Sequence, residues 1–169
     1  MGMKMMNSAM RKEHPIPPLY DEQSRVLILG SFPSVKSREQ GFFYGHPQNR
    51  FWRVLAEVFN CETPVTVDAK SRFLHSHHLA VWDVIASCDI VGSSDSSIKN
   101  VVVNDVSKIL ETGQIREIFV NGKTAEKLYK KYMKEKTGRD AVYLPSTSPA
   151  NAGCSFEKLK EEWKKVKCL

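Results

Sequence analysis

The sequence lacks several features that would define its class at once. No apolar run approaches the length of a membrane-spanning helix, and the first residues lack the hydrophobic stretch of a secretory signal. Only four cysteines occur, and none belongs to a C-x-x-C pair, which argues against a zinc site or an iron–sulfur cluster. We therefore expect a cytoplasmic protein with reduced thiols that requires neither a metal ion nor another cofactor.

Common catalytic motifs are absent as well. The chain has no G-x-x-x-x-G-K-[ST] phosphate-binding loop and no G-x-G-x-x-G fingerprint. A serine hydrolase triad could be assembled from Ser34, His46 and Asp83, but no G-x-S-x-G elbow supports it. A small-molecule hydrolase is therefore the least favoured alternative.

The bulk composition is that of a globular protein. The 169 residues are 41% hydrophobic and 26% charged, which suits one domain with a substantial core. We predict a disordered N-terminus over residues 1–14 and a single domain over residues 15–169. The formal net charge of +6 is compatible with a polyanionic partner, although a solvated basic surface explains it equally well.

Short apolar segments alternate with amphipathic ones along the chain. Four of them are typical of strands buried on both faces: residues 26–29, 79–84, 118–120 and 141–144. Helical periodicity is found at residues 49–59, 68–75, 104–110, 124–136 and after Ser155. The Ser-, Asp- and Gly-rich residues 87–100 are predicted to form a loop. This alternation predicts an α/β fold with three layers, α/β/α, around a central four-stranded parallel sheet.

The carboxyl ends of the four predicted strands should meet at one edge of the sheet, where open α/β sheets bind ligands. The loops at that edge cover residues 30–49, 83–100, 121–122 and 145–153. They are polar but poor in acids and bases, and they carry several aromatic residues. Aromatic faces with amides and backbone donors suit a flat heterocycle, and hydroxyls with helix N-termini suit a phosphodiester.

Two long segments carry a family resemblance. The first is Gly-Ser-Phe-Pro-Ser at residues 30–34, followed by Gly-Phe-Phe-Tyr-Gly-His-Pro-Gln-Asn-Arg-Phe-Trp at residues 41–52. The second is Pro-Ser-Thr-Ser-Pro-Ala-Asn-Ala at residues 145–152. Together with Trp-Asp-Val at residues 82–84 and Gly-Ser-Ser-Asp-Ser-Ser-Ile at residues 92–98, they resemble the uracil-DNA glycosylase superfamily. The chain looks most like its hypoxanthine (deoxyinosine) DNA glycosylase family, although mismatch-specific uracil glycosylases share the His-Pro-x-Asn-Arg-Phe-Trp segment.

This resemblance implies a monofunctional enzyme of base-excision repair. Such an enzyme flips a deaminated base out of DNA and hydrolyses its N-glycosidic bond, without a metal or a covalent nucleophile. The expected base is hypoxanthine, with uracil or xanthine as further substrates, and the expected partner is DNA bound by a monomer. The alternatives are a G:T/U mismatch-specific uracil glycosylase of the same fold and a non-catalytic DNA-binding member.

The resemblance also assigns roles to residues. Asn49 is the predicted catalytic residue, orienting water through its oxygen or donating to the base, but it is equally suited to cap the following helix. The predicted base-binding residues are Ser31, Phe32, Phe43, Tyr44, His46 and Asp83. The predicted DNA-binding residues are Pro33, Ser34, Ser146, Ser148, Pro149, Ala150 and Asn151.

Most of these residues could also have a purely structural role. Phe43 and Tyr44 would stack on the flipped base or belong to the core, and His46 is equally an exposed surface histidine. Asp83 would accept from a ring N–H or cap the next loop. Ser146 and Ser148 would bind phosphate or form turns.

Three positions depart from the superfamily pattern. Phe32 stands where many members carry Asp or Asn, and a phenyl ring cannot polarise water. Ser146 replaces a histidine that often opens the second motif. Ala150 stands where uracil-DNA glycosylase has a leucine wedge, so Asn151 or a neighbouring loop would have to fill the gap that the flipped base leaves.

Overall fold

A computed structural model describes residues 9–167 of the chain. Its seven strands are β1 (Met10–Glu13), β2 (Val26–Gly30), β3 (Leu79–Asp83), β4 (Ile85–Ile90), β5 (Lys99–Val103), β6 (Glu117–Asn121) and β7 (Val142–Leu144). Its α-helices are α1 (Val35–Gln40), α2 (Phe51–Val58), α3 (Val67–Ser76), α4 (Ser107–Thr112), α5 (Lys123–Leu128), α6 (Lys134–Thr137) and α7 (Phe156–Trp163). A π-helical turn, Tyr129–Met133, joins α5 to α6. Within residues 9–167 no helix has the length and apolar character that crossing a bilayer requires.

The predicted central sheet is confirmed. Its strand order is β3-β2-β6-β7, and every neighbouring pair is parallel. The register pairs Gly30 at the end of β2 with Asp83 at the end of β3, so the two strands stop side by side. The polar segments that follow these strands therefore start from one edge of the sheet.

The three-layer architecture follows from the burial of β2 on both faces. Val26 and Ile28 face a core formed with residues of α2, α3 and α7, including Phe51 and Trp163. Leu27 and Leu29 face the opposite way, into a second core formed with α4, α5 and the π-helical turn. Because successive side chains of a strand alternate between faces, this run of apolar residues requires helices on both sides of the sheet.

A second sheet corrects two predictions. Met10–Glu13 is a strand that pairs antiparallel with β4, so the predicted disorder fails for this part of residues 1–14; residues 1–8 lie outside the described residues. Residues 87–100 are not one loop, since β4 and β5 pair within them and leave a connection of eight residues, 91–98. The sheet order is β1-β4-β5. The strands of this second sheet are short and irregular. Polar and apolar residues do not alternate clearly along them, so the sequence does not predict them as strands.

Two helix starts also differ from the prediction. The helix predicted over residues 104–110 begins only at Ser107, and Asn104 lies before it, where its amide donates to the backbone oxygens of Asp83 and Ile85. The first loop, predicted as irregular from residue 30 to 49, contains α1. Ser34 caps this helix by accepting from the Ser37 N–H, and Gly41 ends it in the left-handed conformation with a φ of 71°.

Candidate active site

The predicted strand-end loops enclose one cavity of about 750 Å³. All fourteen residues assigned from the sequence line it: Ser31, Phe32, Pro33, Ser34, Phe43, Tyr44, His46, Asn49, Asp83, Ser146, Ser148, Pro149, Ala150 and Asn151. Asn49 and Ser148, which are 99 positions apart in the chain, thus lie on the same cavity. A volume of this size is within the range of small-molecule sites.

Arg50 holds the first and last loops together. Its backbone N–H donates to the Thr147 oxygen at 3.0 Å. Its guanidinium donates to the Cys154 oxygen at 2.7 Å and to the Asn151 oxygen at 3.1 Å. One planar side chain with several donors can bridge two carbonyl groups at once, which fixes the spacing between the two loops.

Buried polar groups fix the other ends of these loops. The Asn121 side chain at the end of β6 exchanges two hydrogen bonds with Thr147, which is fully buried. The indole of Trp52 donates to the backbone oxygens of Phe43 and Tyr44, and that of Trp163 donates to the Pro145 oxygen. Indole donors from the core therefore position the backbone that lines the cavity.

The two polar atoms of the Asn49 side chain, Oδ1 and Nδ2, differ in their hydrogen bonding. Its Oδ1 accepts from the Phe51 N–H at 2.9 Å, at the first turn of α2. Because a backbone N–H can only donate, Oδ1 must face it, and Nδ2 must be the opposite atom. No described residue accepts a hydrogen bond from Nδ2. The helix-capping contact is therefore present, and the amide N–H₂ is the end of Asn49 that is left for a ligand.

Asp83 forms a buried pair with His14, which the sequence analysis had placed in a disordered segment. His14 Nε2 lies 2.7 Å from Asp83 Oδ2, and the two side chains are only 2% and 5% exposed. His14 Nδ1 accepts from the Ile16 N–H, so the proton of the neutral ring is on Nε2, which donates to the carboxylate. Asp83 is thus fixed by His14 and does not cap the following loop through its side chain.

Aromatic rings surround this pair. His14 contacts Phe32, Phe43 and Trp82 at centroid distances of 5.8, 6.5 and 6.1 Å. Phe43 lines the cavity although it is 2% exposed. The Tyr44 ring stacks on Phe51 with centroids 3.8 Å apart, so one of its faces is already covered.

The Tyr44 hydroxyl is buried without a well-formed hydrogen bond to any described residue. Burial, and then the Asp83 carboxylate, raise the pKa of this phenol far above its usual range, with the Asn121 side chain opposing the rise. The phenol is therefore neutral at all physiological pH values. Gly30 has no room for a side chain here, because a Cβ would lie 2.4 Å from Asp83 Oδ1 and 3.0 Å from the Tyr44 oxygen.

The predicted DNA-binding residues form turns along the cavity rim. Ser146 Oγ accepts from the Ser148 N–H, and Ser148 Oγ accepts from the Ala150 N–H. The turn-forming role is therefore present, and each hydroxyl still has its own hydrogen to donate. His46 is similar, since its Nδ1 accepts from the Gln48 N–H.

Besides His14, which supports Asp83 without lining the cavity, sequence reasoning missed several residues that do line it. Asp95, Asn121, Lys123, Thr124 and Tyr143 also line the cavity. Asp95 belongs to a 3₁₀ turn, Asp95–Ser97, between β4 and β5, and its carboxylate accepts from the Ser31 hydroxyl. The turn signal around Asp95 was visible in the sequence, but its distance from Ser31 depends on the second sheet.

The fold and the cavity define a class of protein: an α/β protein with a polar cavity, partly lined by aromatic residues, at the carboxyl edge of a four-stranded parallel sheet. The sequence model of the Uracil DNA glycosylase superfamily matches residues 17–169, and the chain belongs to this superfamily of DNA glycosylases. Within it, the chain is 33% identical over 153 residues to the hypoxanthine DNA glycosylase of Methanosarcina acetivorans, covering 89% of this chain and 94% of that protein.

Two further comparisons also find proteins that are named as DNA glycosylases. The hypoxanthine DNA glycosylase of Methanosarcina barkeri is 30% identical over 155 residues, which cover 90% of this chain and 96% of that protein. The solution NMR structure of a candidate uracil DNA glycosylase from Methanosarcina acetivorans superimposes with a TM-score of 0.77 at 29% identity. That likeness covers 94% of this chain and 99% of the NMR chain.

Proposed function

We propose that this DNA glycosylase excises hypoxanthine from DNA that contains deoxyinosine. The proposal is supported by the two relatives named hypoxanthine DNA glycosylase. The observation that carries it is the pairing of one free donor with one fixed acceptor on the same cavity: the Asn49 N–H₂ and the Asp83 carboxylate.

This pair matches the edge of hypoxanthine. Hypoxanthine presents O6 as an acceptor beside N1–H as a donor, whereas adenine presents a donor beside an acceptor. Adenine would leave the Asp83 carboxylate facing a lone pair and the Asn49 amide facing another donor. Buried polar groups without partners discriminate strongly against a wrong ligand, so a normal adenine base would be rejected.

The same donor would act in the reaction. The departing base takes the electron pair of the N-glycosidic bond, and negative charge develops on its carbonyl oxygen. A donor that is already in position for that oxygen stabilises the charge without reorganisation. Asn49 would therefore both select the base and assist its departure, while Phe43 and neighbouring rings of the cavity wall contact its face.

Phosphate groups would be held at the rim. The Ser146 and Ser148 hydroxyls are the donors we assign to the DNA backbone. We also assign Asn151, next to them, or a neighbouring loop to the space that the flipped base vacates. The net charge of +6 favours DNA binding in general.

Uracil excision is the second candidate. Uracil carries the same combination of a carbonyl acceptor beside a ring N–H, so the Asn49 and Asp83 pair would also accept it. The likeness to the candidate uracil DNA glycosylase favours the same possibility. Xanthine shares the edge too and would need room for one more oxygen.

The test is a panel of duplex oligonucleotides incubated with the protein and then treated with alkali, which cleaves at abasic sites. The duplexes carry deoxyinosine, deoxyxanthosine, deoxyuridine opposite guanine, deoxyuridine opposite adenine, or no damage. Product from deoxyinosine is the expected result. Product from deoxyuridine opposite guanine alone would identify a mismatch-specific uracil glycosylase instead, and binding without product would identify a non-catalytic DNA-binding protein.

A further inference from the structure

The first motif has a phenyl ring at its centre, and a phenyl ring cannot orient water. This residue, Phe32, is 8% exposed. Its ring packs against Ile85, Cys88 and Ile90 of β4 in a small apolar cluster. The Asn49 oxygen already accepts from the Phe51 N–H, so at most one of its lone pairs is left for a water molecule. Hydrolysis still requires an acceptor that orients water toward the sugar.

A carboxylate from another part of the chain lies beside this motif. Ser31, the neighbour of Phe32, donates its hydroxyl to Asp95, with 3.1 Å to Oδ1 and 3.2 Å to Oδ2. Asp95 comes from the connection between β4 and β5, which the sequence analysis treated as part of a loop. Two more contacts fix this connection to the first loop: Val35 N–H to Ser93 Oγ, and the Arg38 guanidinium to the Gly92 oxygen.

Solvent access distinguishes Asp95 from the other carboxylate on the cavity. Asp83 is 4% exposed and already accepts from His14, so water does not reach it freely. Asp95 is exposed at the cavity and has acceptor positions left after the Ser31 bond. A nucleophilic water has to enter from solvent, which makes Asp95 the carboxylate that it can meet.

We propose that Asp95 is a catalytic residue that orients the attacking water. This assignment rests on the glycosylase function proposed above. The water oxygen bonds to C1′ of the deoxyribose as the C1′–N bond breaks and its electron pair leaves with the base. The water proton passes to the Asp95 carboxylate and then, through solvent, to the departed base, so charge and atoms balance. The negative carboxylate also stabilises the positive charge that develops on the sugar.

The electrostatics of the cavity suit this role. Asp95 as a whole residue is exposed, but the cavity wall excludes part of the water around its carboxylate, and this desolvation raises its pKa. The Asp83 carboxylate raises this pKa further, while hydrogen bonds from Ser31 and Thr124 lower it. A carboxyl with a raised pKa is a stronger base than an ordinary one. The other ionisable side chains around the cavity or directly behind it are His14, Arg38, Tyr44, His46, Asp83, Cys88, Lys123 and Tyr143.

The test compares Asp95→Asn with the wild-type protein on duplex DNA containing deoxyinosine, under single-turnover conditions. Asparagine keeps the shape and an oxygen that can accept from Ser31, so only the charge and the basicity are lost. We expect the cleavage rate constant to fall at least about a hundredfold. Binding of a duplex carrying the uncleavable 2′-fluoro-deoxyinosine should change less than about threefold. Asp68→Asn, on the far more exposed surface of α3 with a side chain 85% exposed, is the matched control and should leave both quantities unchanged.

The pH profile supplies the second readout. The wild-type rate should fall as pH drops through the pKa of Asp95, because the protonated form cannot accept the water proton. Ser31→Ala removes a hydrogen bond that lowers this pKa, so its acidic limb should move to higher pH. The residual activity of Asp95→Asn should lack that limb.

Each outcome decides the assignment. Cleavage by Asp95→Asn within about threefold of wild type would overturn the role of Asp95 while leaving the glycosylase function intact. Equal losses of binding and cleavage, with a lowered melting temperature, would show that Asp95 only fastens two loops, which also overturns it. Failure of the wild-type protein to cleave any damaged duplex would instead contradict the proposed function itself.

Discussion

At the scale of single residues, the oxygen and the nitrogen of the Asn49 side chain have different environments: the oxygen has a hydrogen-bond partner among residues 9–167 and the nitrogen does not. The sequence alone offered two roles for Asn49, helix cap or catalytic residue, and could not choose between them because both use an amide. The contact with the Phe51 N–H assigns the oxygen to the helix and leaves the N–H₂. The roles are thus separable by substitution.

Asn49→Asp should separate them. A carboxylate oxygen still accepts from the Phe51 N–H at the N-terminus of α2, so the free energy of unfolding should be unchanged or higher. The donor is lost, so the single-turnover excision rate should fall at least about tenfold, equivalent to roughly 1.4 kcal/mol. Asn49→Ala should lose the same activity and, in addition, about 1 kcal/mol of stability. Chemical denaturation and the oligonucleotide assay measure both; full activity of Asn49→Asp would rule out the donor role.

His14 shows what sequence reading could not detect. It stands in a Met- and Lys-rich segment without hydrophobic periodicity, and the superfamily model matches only from residue 17. Its partner Asp83 is 69 positions away. Only the pairing of β1 with β4 brings the imidazole to the carboxylate, and no local pattern encodes that long-range contact.

Removing the imidazole should be costly. His14→Ala leaves a buried carboxylate without its donor, and we expect the free energy of unfolding to fall by about 2 kcal/mol. His75→Ala is the matched control, because His75 also pairs with an aspartate, Asp21, at 3.0 Å, but both side chains are about 40% exposed, at 39% and 42%. Exposed pairs contribute little, so this variant should lose less than about 1 kcal/mol. Similar losses in urea denaturation of the two variants would contradict the burial argument.

At the scale of elements, the strands of the central sheet were predictable and those of the second sheet were not. Residues 26–29 form an unbroken apolar run that only a strand covered on both faces explains. The edge strand β5, Lys99–Val103, is mostly exposed and begins with Lys and Asn, so its residues read as loop. Its pairing with β4 is interrupted by register shifts, which weakens the alternating pattern further.

Also at the scale of elements, the Arg50 side chain connects the first loop to the last loop. Arg50→Ala removes the two guanidinium bonds to Cys154 and Asn151, so we expect a loss of about 2 kcal/mol of stability. Excision should fall at least about tenfold, because Asn49 would no longer be held opposite the last loop.

Arg53, which lies in α2 three residues after Arg50 in the sequence, offers a matched control. Its guanidinium lies 4.3 Å from the ring centroid of Phe156 on α7, a contact between the same two regions that does not involve the cavity. Arg53→Ala should cost about 0.5–1 kcal/mol and leave the excision rate unchanged. If Arg50→Ala excised at the wild-type rate, the guanidinium would not be needed to form the site.

At the scale of the whole molecule, the position of the site was predictable because it follows from topology. Parallel strands joined by helices deliver their polar ends to one edge, so the residue lists around positions 30–52 and 145–151 converged on one cavity. The side of the cavity formed by the connection between β4 and β5 was not predictable, nor was the buried contact of His14 with Asp83. Both depend on the second sheet, which brings Asp95 to the cavity and His14 to Asp83 only in the folded chain.

The central claim is that this cavity holds an everted purine and releases it. The most direct measurement is the amount of free hypoxanthine liberated from a deoxyinosine duplex under single-turnover conditions, quantified by chromatography beside the number of alkali-labile sites. We predict one hypoxanthine for each alkali-labile site formed by the wild-type protein, and at least about tenfold slower release by Asn49→Asp. Strand breaks without free base, or no release from any damaged duplex, would contradict the account.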